Sequence, residues 1–185
     1  MPNRRHNLPV IVTRRATAAD APFLQQMLAV AADWRPDTPV RSVAELLAAP
    51  ELAHYVADWP RAGDLGWVAV DGAAAVGAAW WRLFTERDPG YGFIDERTPE
   101  LSIGVVQRAR GRGVGTLLMQ ALIAEAERLA LPALSLSVEP DNPAASLYER
   151  LGFAPVHRVG GSITMVLPLR TSQRDGRGGS GRFSS

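Results

Sequence analysis

Leu101-Ser102-Ile103-Gly104-Val105-Val106 leads, through Gln107-Arg108-Ala109, into Arg110-Gly111-Arg112-Gly113-Val114-Gly115-Thr116. No other passage of the 185 residues constrains the architecture as much. The first part is an apolar run of strand length. The second sets three alternating glycines at the mouth of a long amphipathic helix pattern. Glycine has no Cβ, so the backbone N–H groups are bare and a ligand can approach closely. The helix N-terminus behind them adds partial positive charge, which favours a phosphate or pyrophosphate. Arg110 and Arg112 strengthen that preference for an anion.

A Walker-type loop needs a lysine on the phosphates. The chain contains none, since all 20 of its basic residues are arginine, and the same absence removes a Schiff-base lysine. A dinucleotide fingerprint, G-x-G-x-x-G, would need glycine where Thr116 stands, opens the first βαβ unit, and has an acid about 20 residues on. Ser135 occupies that distance and Glu139 lies a little beyond. On its glycines alone this second reading stays open.

A third reading draws on more residues. Arg110-x-x-Gly113-x-Gly115 resembles the pyrophosphate loop (Q/R-x-x-G-x-G/A) of the GNAT family of N-acetyltransferases. Ala133-Leu134-Ser135-Leu136-Ser137-Val138-Glu139 resembles that family's next strand. Asn142-Pro143-Ala144-Ala145-Ser146-Leu147-Tyr148-Glu149-Arg150-Leu151-Gly152-Phe153 resembles its helix carrying Asn and Tyr and ending in Gly-Phe. The strongest similarity runs from Glu100 to Phe153. It implies an α/β (α+β, mixed) fold, the acyl-CoA N-acyltransferase (GNAT) fold. In it a twisted, mostly antiparallel sheet is flanked by helices on both faces and splayed between its fourth and fifth strands, here Leu101–Val106 and Leu134–Glu139. It also implies acetyl-CoA as cosubstrate in the gap, and no metal.

The remaining pattern fits one domain. Val10 to Arg14 reads as a first strand. Thr17-Ala18-Ala19-Asp20 and Ser42-Val43-Ala44-Glu45 read as capping boxes, the first opening a helix through Ala31 and the second a short helix that stops near Pro50. Trp67 to Val70 and Ala75 to Trp81 flank an Asp71-Gly72 hairpin turn. The helix from Gly113 to Leu131 places Leu118, Met119, Leu122 and Ala126 on one face, with Glu125 and Arg128 on its solvent side. Pro132 ends it. Asn142 is the N-cap of the next helix and Gly152 its left-handed stop. Ser162 to Leu167 is a last strand, apolar enough to pair across a dimer. The expected organisation is an N-terminal extension (1–8), an N-acetyltransferase domain (9–169) and a disordered Gly/Ser/Arg tail (170–185). An RNA contact by the tail's Arg-Gly repeats is the alternative to a solvated tail.

Composition excludes several classes. The chain has no cysteine, hence no thiolate nucleophile. His6, His54 and His157 lack metal-ligand spacing. A formal net charge of +1 gives no general attraction to nucleic acid or to an anionic membrane. The N-terminal apolar run is too short for a signal peptide core and no run is long enough to span a bilayer. A cytoplasmic enzyme, monomer or homodimer, is the expectation.

By the resemblance, Arg110, Gly111, Arg112, Gly113, Val114, Gly115 and Thr116 hold the pyrophosphate, chiefly through backbone N–H groups. Val105 and Val106 offer backbone groups to the pantetheine arm and acyl carbonyl, and Asn142 and Ser146 touch the cofactor. Tyr148 is the expected general acid, because a phenol with pKa about 10 keeps its proton at neutral pH. Glu100 is the expected base, with Asp95 and Glu96 as alternatives. Trp34 and Trp59 stand in or near the acceptor wall, as substrate contacts or as core. Glu86, Asp88, Asp95, Glu96 and Glu100 concentrate negative charge before the fourth strand, interleaved with Arg82, Arg87 and Arg97. They suggest a cationic acceptor such as a polyamine, aminoglycoside, amino-acid amine or protein N-terminus. The expected function is acetyl transfer from acetyl-CoA to a primary amine of a small molecule or peptide, by direct attack in a ternary complex. The rival is a catalytically quiet acyl-CoA-binding sensor of the same fold.

Overall fold

Alternating side chains send consecutive residues of a strand to opposite faces, and Trp80 and Trp81, both buried, mark the two cores that result. The computed structural model describes residues 10–35 and 41–169. The N-terminal extension (1–8) and the tail (170–185) expected from sequence lie outside the described residues.

Seven strands form one sheet. In spatial order they are β1 (Ile11–Arg15), β2 (Leu65–Asp71), β3 (Ala74–Arg82), β4 (Glu100–Val105), β5 (Ala133–Val138), β7 (Ser162–Pro168) and β6 (Ala154–Val159). All neighbours are antiparallel except β4 and β5. Those two run parallel and share a single registered pair, Glu100 with Ser135, supported by the Ser135 N–H donating to Pro99 O at 3.0 Å. Beyond that pair they part. The mixed α/β architecture, a mostly antiparallel sheet splayed between its fourth and fifth strands, is the one expected from sequence.

Helix α4 (Val114–Arg128) covers one face, seating Leu118, Met119, Leu122 and Ala126 against Trp81, Leu101, Leu134 and Leu136. Helix α1 (Ala21–Ala32) covers the other, where Leu24, Met27 and Leu28 join Val68, Ala78, Trp80, Val56 and Trp59. Two short helices, α2 (Val43–Leu47) and α3 (Pro50–Ala53), follow α1, and α5 (Ala145–Arg150) precedes β6. Ser42 and Glu45 form the expected reciprocal cap of α2. Pro50 does not merely stop a helix; it opens α3 at the first-turn position where its missing N–H costs nothing.

Close approach of α1 to β4 depends on Gly104. An added Cβ there would collide with the carbonyl oxygen of Met27, a backbone atom that cannot swing away. Gly104→Ala is therefore expected to lower stability by about 1–3 kcal/mol through overpacking, read as a fall in the thermal midpoint. An unchanged midpoint would show that α1 is free to shift.

Three features differ from the sequence reading. Strand β6 was not anticipated. Glu125, expected on the solvent side of α4, is buried at 8% exposure because it receives Arg15 from β1 as well as Arg128 from its own helix. The last strand, β7, is bonded on both sides, to β5 and β6. It has no free edge to pair across a dimer; the sheet edge on that side is β6.

Candidate active site

Where β4 and β5 part, the chain forms a cleft of about 1310 Å³. Leu101 to Val105 and Leu136 to Glu139 supply its rims. The Val106 N–H donates to Val76 O at 3.0 Å, which fixes the phase of hydrogen bonding between β3 and β4. By alternation, Gly104 and Ser102 also bond toward β3, while the backbone groups of Leu101, Ile103 and Val105 turn to the gap. Val106 O accepts the Ala109 N–H at 2.9 Å. Both backbone groups of Val106 are therefore engaged within the protein, and of the expected pair only Val105 has groups turned to the cleft. Ile103 joins it, a residue that strand alternation alone would have found.

The glycine loop stands at the wide end. Gly111 and Gly113 have φ of 72° and 79°, the left-handed region that side chains disfavour. An added Cβ at either would meet nothing within 4 Å, so the space in front of the loop is clear. The N–H groups of Val114, Gly115 and Thr116 lie in the first turn of α4, ahead of Leu117, whose N–H donates to Gly113 O at 3.0 Å. Such first-turn donors lack an acceptor inside the helix. Clear space, bare donors and a helix N-terminus together suit a diphosphate. Arg110 lines the cleft, with its Nε on Val105 O at 3.2 Å. The Arg112 guanidinium pairs instead with Asp71 of β2 at 2.7 Å, outside the cleft lining, so Arg112 brings only its backbone to the loop.

Helix α5 is drawn against this loop because Gly115 has no side chain: an added Cβ would touch Leu147 at 3.2 Å. The next residue, Tyr148, lines the cleft at 6% exposure and packs edge-on against Phe153 at 6.2 Å. Burial raises the pKa of its phenol above the ordinary value, which keeps it protonated. Asn142 also lines the cleft, and its Oδ1 accepts the Ala144 N–H at 2.9 Å; it is not the N-cap expected from sequence, because α5 begins later and Ala144 takes that position. Ser146 is not in the cleft lining; its hydroxyl donates to Pro143 O at 3.0 Å.

At the narrow end lies Glu100, 3% exposed. Its Oε1 accepts the Tyr55 hydroxyl at 2.7 Å, while Oε2 has no partner. Burial pushes the carboxyl up to about 7, opposed by the Tyr55 hydrogen bond and by a looser approach of the Gly92 N–H. The other acids of this stretch point elsewhere. Asp88 meets His54 Nδ1 at 2.8 Å. Asp95 accepts the Arg97 and Thr98 N–H groups, both at 2.8 Å, and Glu96 the Glu86 N–H at 3.4 Å. Arg82 is buried against Asp64 and leaves these acids alone. The carboxylates that do line the cleft with Glu100 are Glu51, Glu139 and Asp141, with Glu139 paired to Arg35. Trp34 lines it too, whereas Trp59 is core, its Nε1 donating to Thr17 O at 3.1 Å. Among the described residues no group of three His, Asp or Glu side chains gathers as a metal site.

Comparison with known proteins adds the family. The family model described as the acetyltransferase (GNAT) family matches residues 27–153. A mycothiol acetyltransferase of Gordonia bronchialis is 37% identical over 126 residues, 60% of this chain and 39% of that protein. The chain thus spans well under half the length of that relative. The N-alpha-acetyltransferase 30 of Schizosaccharomyces pombe is 31% identical over 108 residues, 57% of this chain and 66% of that protein. Among solved structures, yncA of Salmonella typhimurium with its cofactor acetyl-CoA superposes with a TM-score of 0.63 at 23% identity, covering 86% of this chain and 94% of that one. That superposition speaks for the fold, and the family match joins it to the loop, the split strands and the cleft between them. The chain belongs to the GNAT family of acetyltransferases.

Proposed function

We propose that the chain transfers an acetyl group from acetyl-CoA to a primary amine by direct attack within a complex of both substrates. The observation that carries this reading is Glu100, a buried carboxyl with one unpartnered oxygen, in the same cleft as a phosphate-type loop and a buried phenol. The loop from Arg110 to Thr116 would hold the diphosphate, Ile103 and Val105 the amides of the pantetheine arm, and Asn142 the rim beside them. Bound there, acetyl-CoA supplies an acyl carbon activated as a thioester.

The chain's own part is to move two protons. Glu100 Oε2 takes the proton that an ammonium must lose before its nitrogen can attack. A carboxyl tuned to about 7 is substantially ionised at neutral pH yet far more basic than an ordinary carboxylate. Tyr148 Oη holds a proton that it can give to a departing thiolate. Without cysteine, a thioester-linked acyl-enzyme has no nucleophile. The cleft walls carry Glu51, Glu139 and Asp141 but also Arg35, Arg41, Arg110 and Arg150, with Glu139 already paired to Arg35, so charge alone does not select the acceptor, of small-molecule or peptide origin. The two relatives bear names that differ in acceptor, and neither name selects one for this chain.

Thiol release from acetyl-CoA, measured against polyamines, aminoglycosides, amino-acid amides and peptides with free N-termini, tests the reading. Release should depend on the amine and rise with pH through about 7, where Glu100 ionises. Tyr148→Phe should lower kcat about 100-fold or more with little change in calorimetric affinity for acetyl-CoA. Tight binding with no amine-dependent release across the whole panel would instead indicate a sensor of acyl-CoA. Absence of binding would remove the proposal altogether.

A further inference from the structure

Tyr55 is a buried ionisable group that the proton transfers above do not use. It follows α3, is 5% exposed, and makes two hydrogen bonds through one oxygen. Its Oη donates to Glu100 Oε1 at 2.7 Å and accepts the Tyr91 N–H at 2.7 Å. We propose that Tyr55 is a positioning residue for acyl transfer: it anchors Glu100 Oε1, leaves Oε2 alone to meet the incoming amine, and couples that carboxylate to the loop carrying Tyr91. This inference rests on Glu100 being the base.

The anchor is itself anchored. From β3, Trp80 Nε1 donates to Tyr55 O at 3.0 Å and Arg82 Nη1 donates to His54 O at 2.5 Å. The Tyr55 ring packs edge-on against Phe84, centroids 4.9 Å apart, and lies nearly parallel to Tyr91 at 6.5 Å and 12°. A phenol whose oxygen accepts an N–H donates more strongly through its own O–H, so the Tyr91 backbone reinforces the grip on Glu100. Tyr91 lines the cleft and is 45% exposed. An acceptor resting on Tyr91 therefore presses on the loop that orients the base.

The charged and ionisable surroundings leave Tyr55 as the dominant polar influence. Arg82 stands opposite Glu100 in the β3–β4 register, but its guanidinium is held by Asp64 at 3.0 and 2.5 Å. His54 packs on the Tyr55 ring at 4.7 Å with Nδ1 on Asp88. From β5, Ser135 faces the same side, its hydroxyl uncharged and without a partner.

The test reads the carboxyl directly. In protein carrying 13C-labelled glutamate, the Glu100 carboxyl resonance is the one missing from Glu100→Gln, and it is titrated in wild type and in Tyr55→Phe. Loss of a donor to the ionised form should move the midpoint upward from about 7 by about one unit. With the best amine of the panel at pH 7, kcat should fall roughly tenfold, the acidic limb should follow the midpoint, and KM for acetyl-CoA should hold. Unmoved midpoint and rate in Tyr55→Phe, with Glu100→Gln inactive, overturn the role of Tyr55 alone. An active Glu100→Gln overturns the base assignment and this inference with it. Should Tyr55→Phe not fold, 3-fluorotyrosine at position 55 keeps the ring and donates more strongly, so the midpoint should move down; no movement there also overturns the inference.

Discussion

Glu100→Gln should make the protein more stable at pH 8 and nearly inactive there. The Glu100 carboxyl is raised to about 7 in the fold from an ordinary 4.5, chiefly by burial. Folding therefore favours its protonated form. Stability on this account is fully present below about pH 4.5 and is lost as pH rises through about 7. A 2.5-unit shift corresponds to about 3 kcal/mol when fully developed, most of it felt by pH 8. Glutamine has the same shape and no charge to desolvate. Its thermal midpoint should exceed that of the wild type by roughly 5–10 °C at pH 8 and by much less at pH 5, where wild-type Glu100 is already protonated. Turnover with the best amine should fall at least about 100-fold. A stability gain equal at both pH values would deny that the buried carboxylate is the source.

Arg82→Met carries the largest loss of stability. Arg82 and Asp64 have side chains 1% and 2% exposed and meet through two nitrogens, Nε to Oδ1 at 3.0 Å and Nη2 to Oδ2 at 2.5 Å. The third nitrogen holds the His54 carbonyl. Removing the guanidinium leaves a carboxylate out of water with no counter-charge, which typically costs about 3–5 kcal/mol. The midpoint should fall by roughly 10 °C. Because the excess cost is the stranded charge, Arg82→Met with Asp64→Leu should recover much of it. A double variant no better than the single one would place the loss in packing. Since His54 adjoins Tyr55, the single variant should also loosen the segment that grips Glu100.

What was legible in the sequence was what the backbone writes locally. Gly111 and Gly113 are where φ turns positive, Gly152 is the left-handed stop after α5, and apolar spacing on α4 picks out its buried face. Each signal sits within a few residues of its consequence. The edge strand β6 gave no such signal: all six of its residues are exposed, and Pro155 lies at an irregularity in its register. Buried alternation, the usual mark of a strand, was missing because no face of β6 is buried. The acids before β4 misled for a related reason. Composition showed their density but not that Asp88 and Asp95 were already satisfied by His54 and by local N–H groups. The contact that tunes the site, Tyr55 on Glu100, spans 45 residues and follows only from the packed fold.

The single rung joining β4 to β5 has a further consequence. Most sheets confine unsatisfied strand borders to their outline, where they invite foreign chains to add on. Here two such borders face each other in the middle of the molecule, a few residues each. On the proposed reading, the amide-bearing arm of acetyl-CoA would dock between them as a makeshift extra strand, completing the ladder that the polypeptide breaks off. Cosubstrate capture would then be an act of fold completion, and amide hydrogen exchange at Ile103 and Val105 should slow when acetyl-CoA is added.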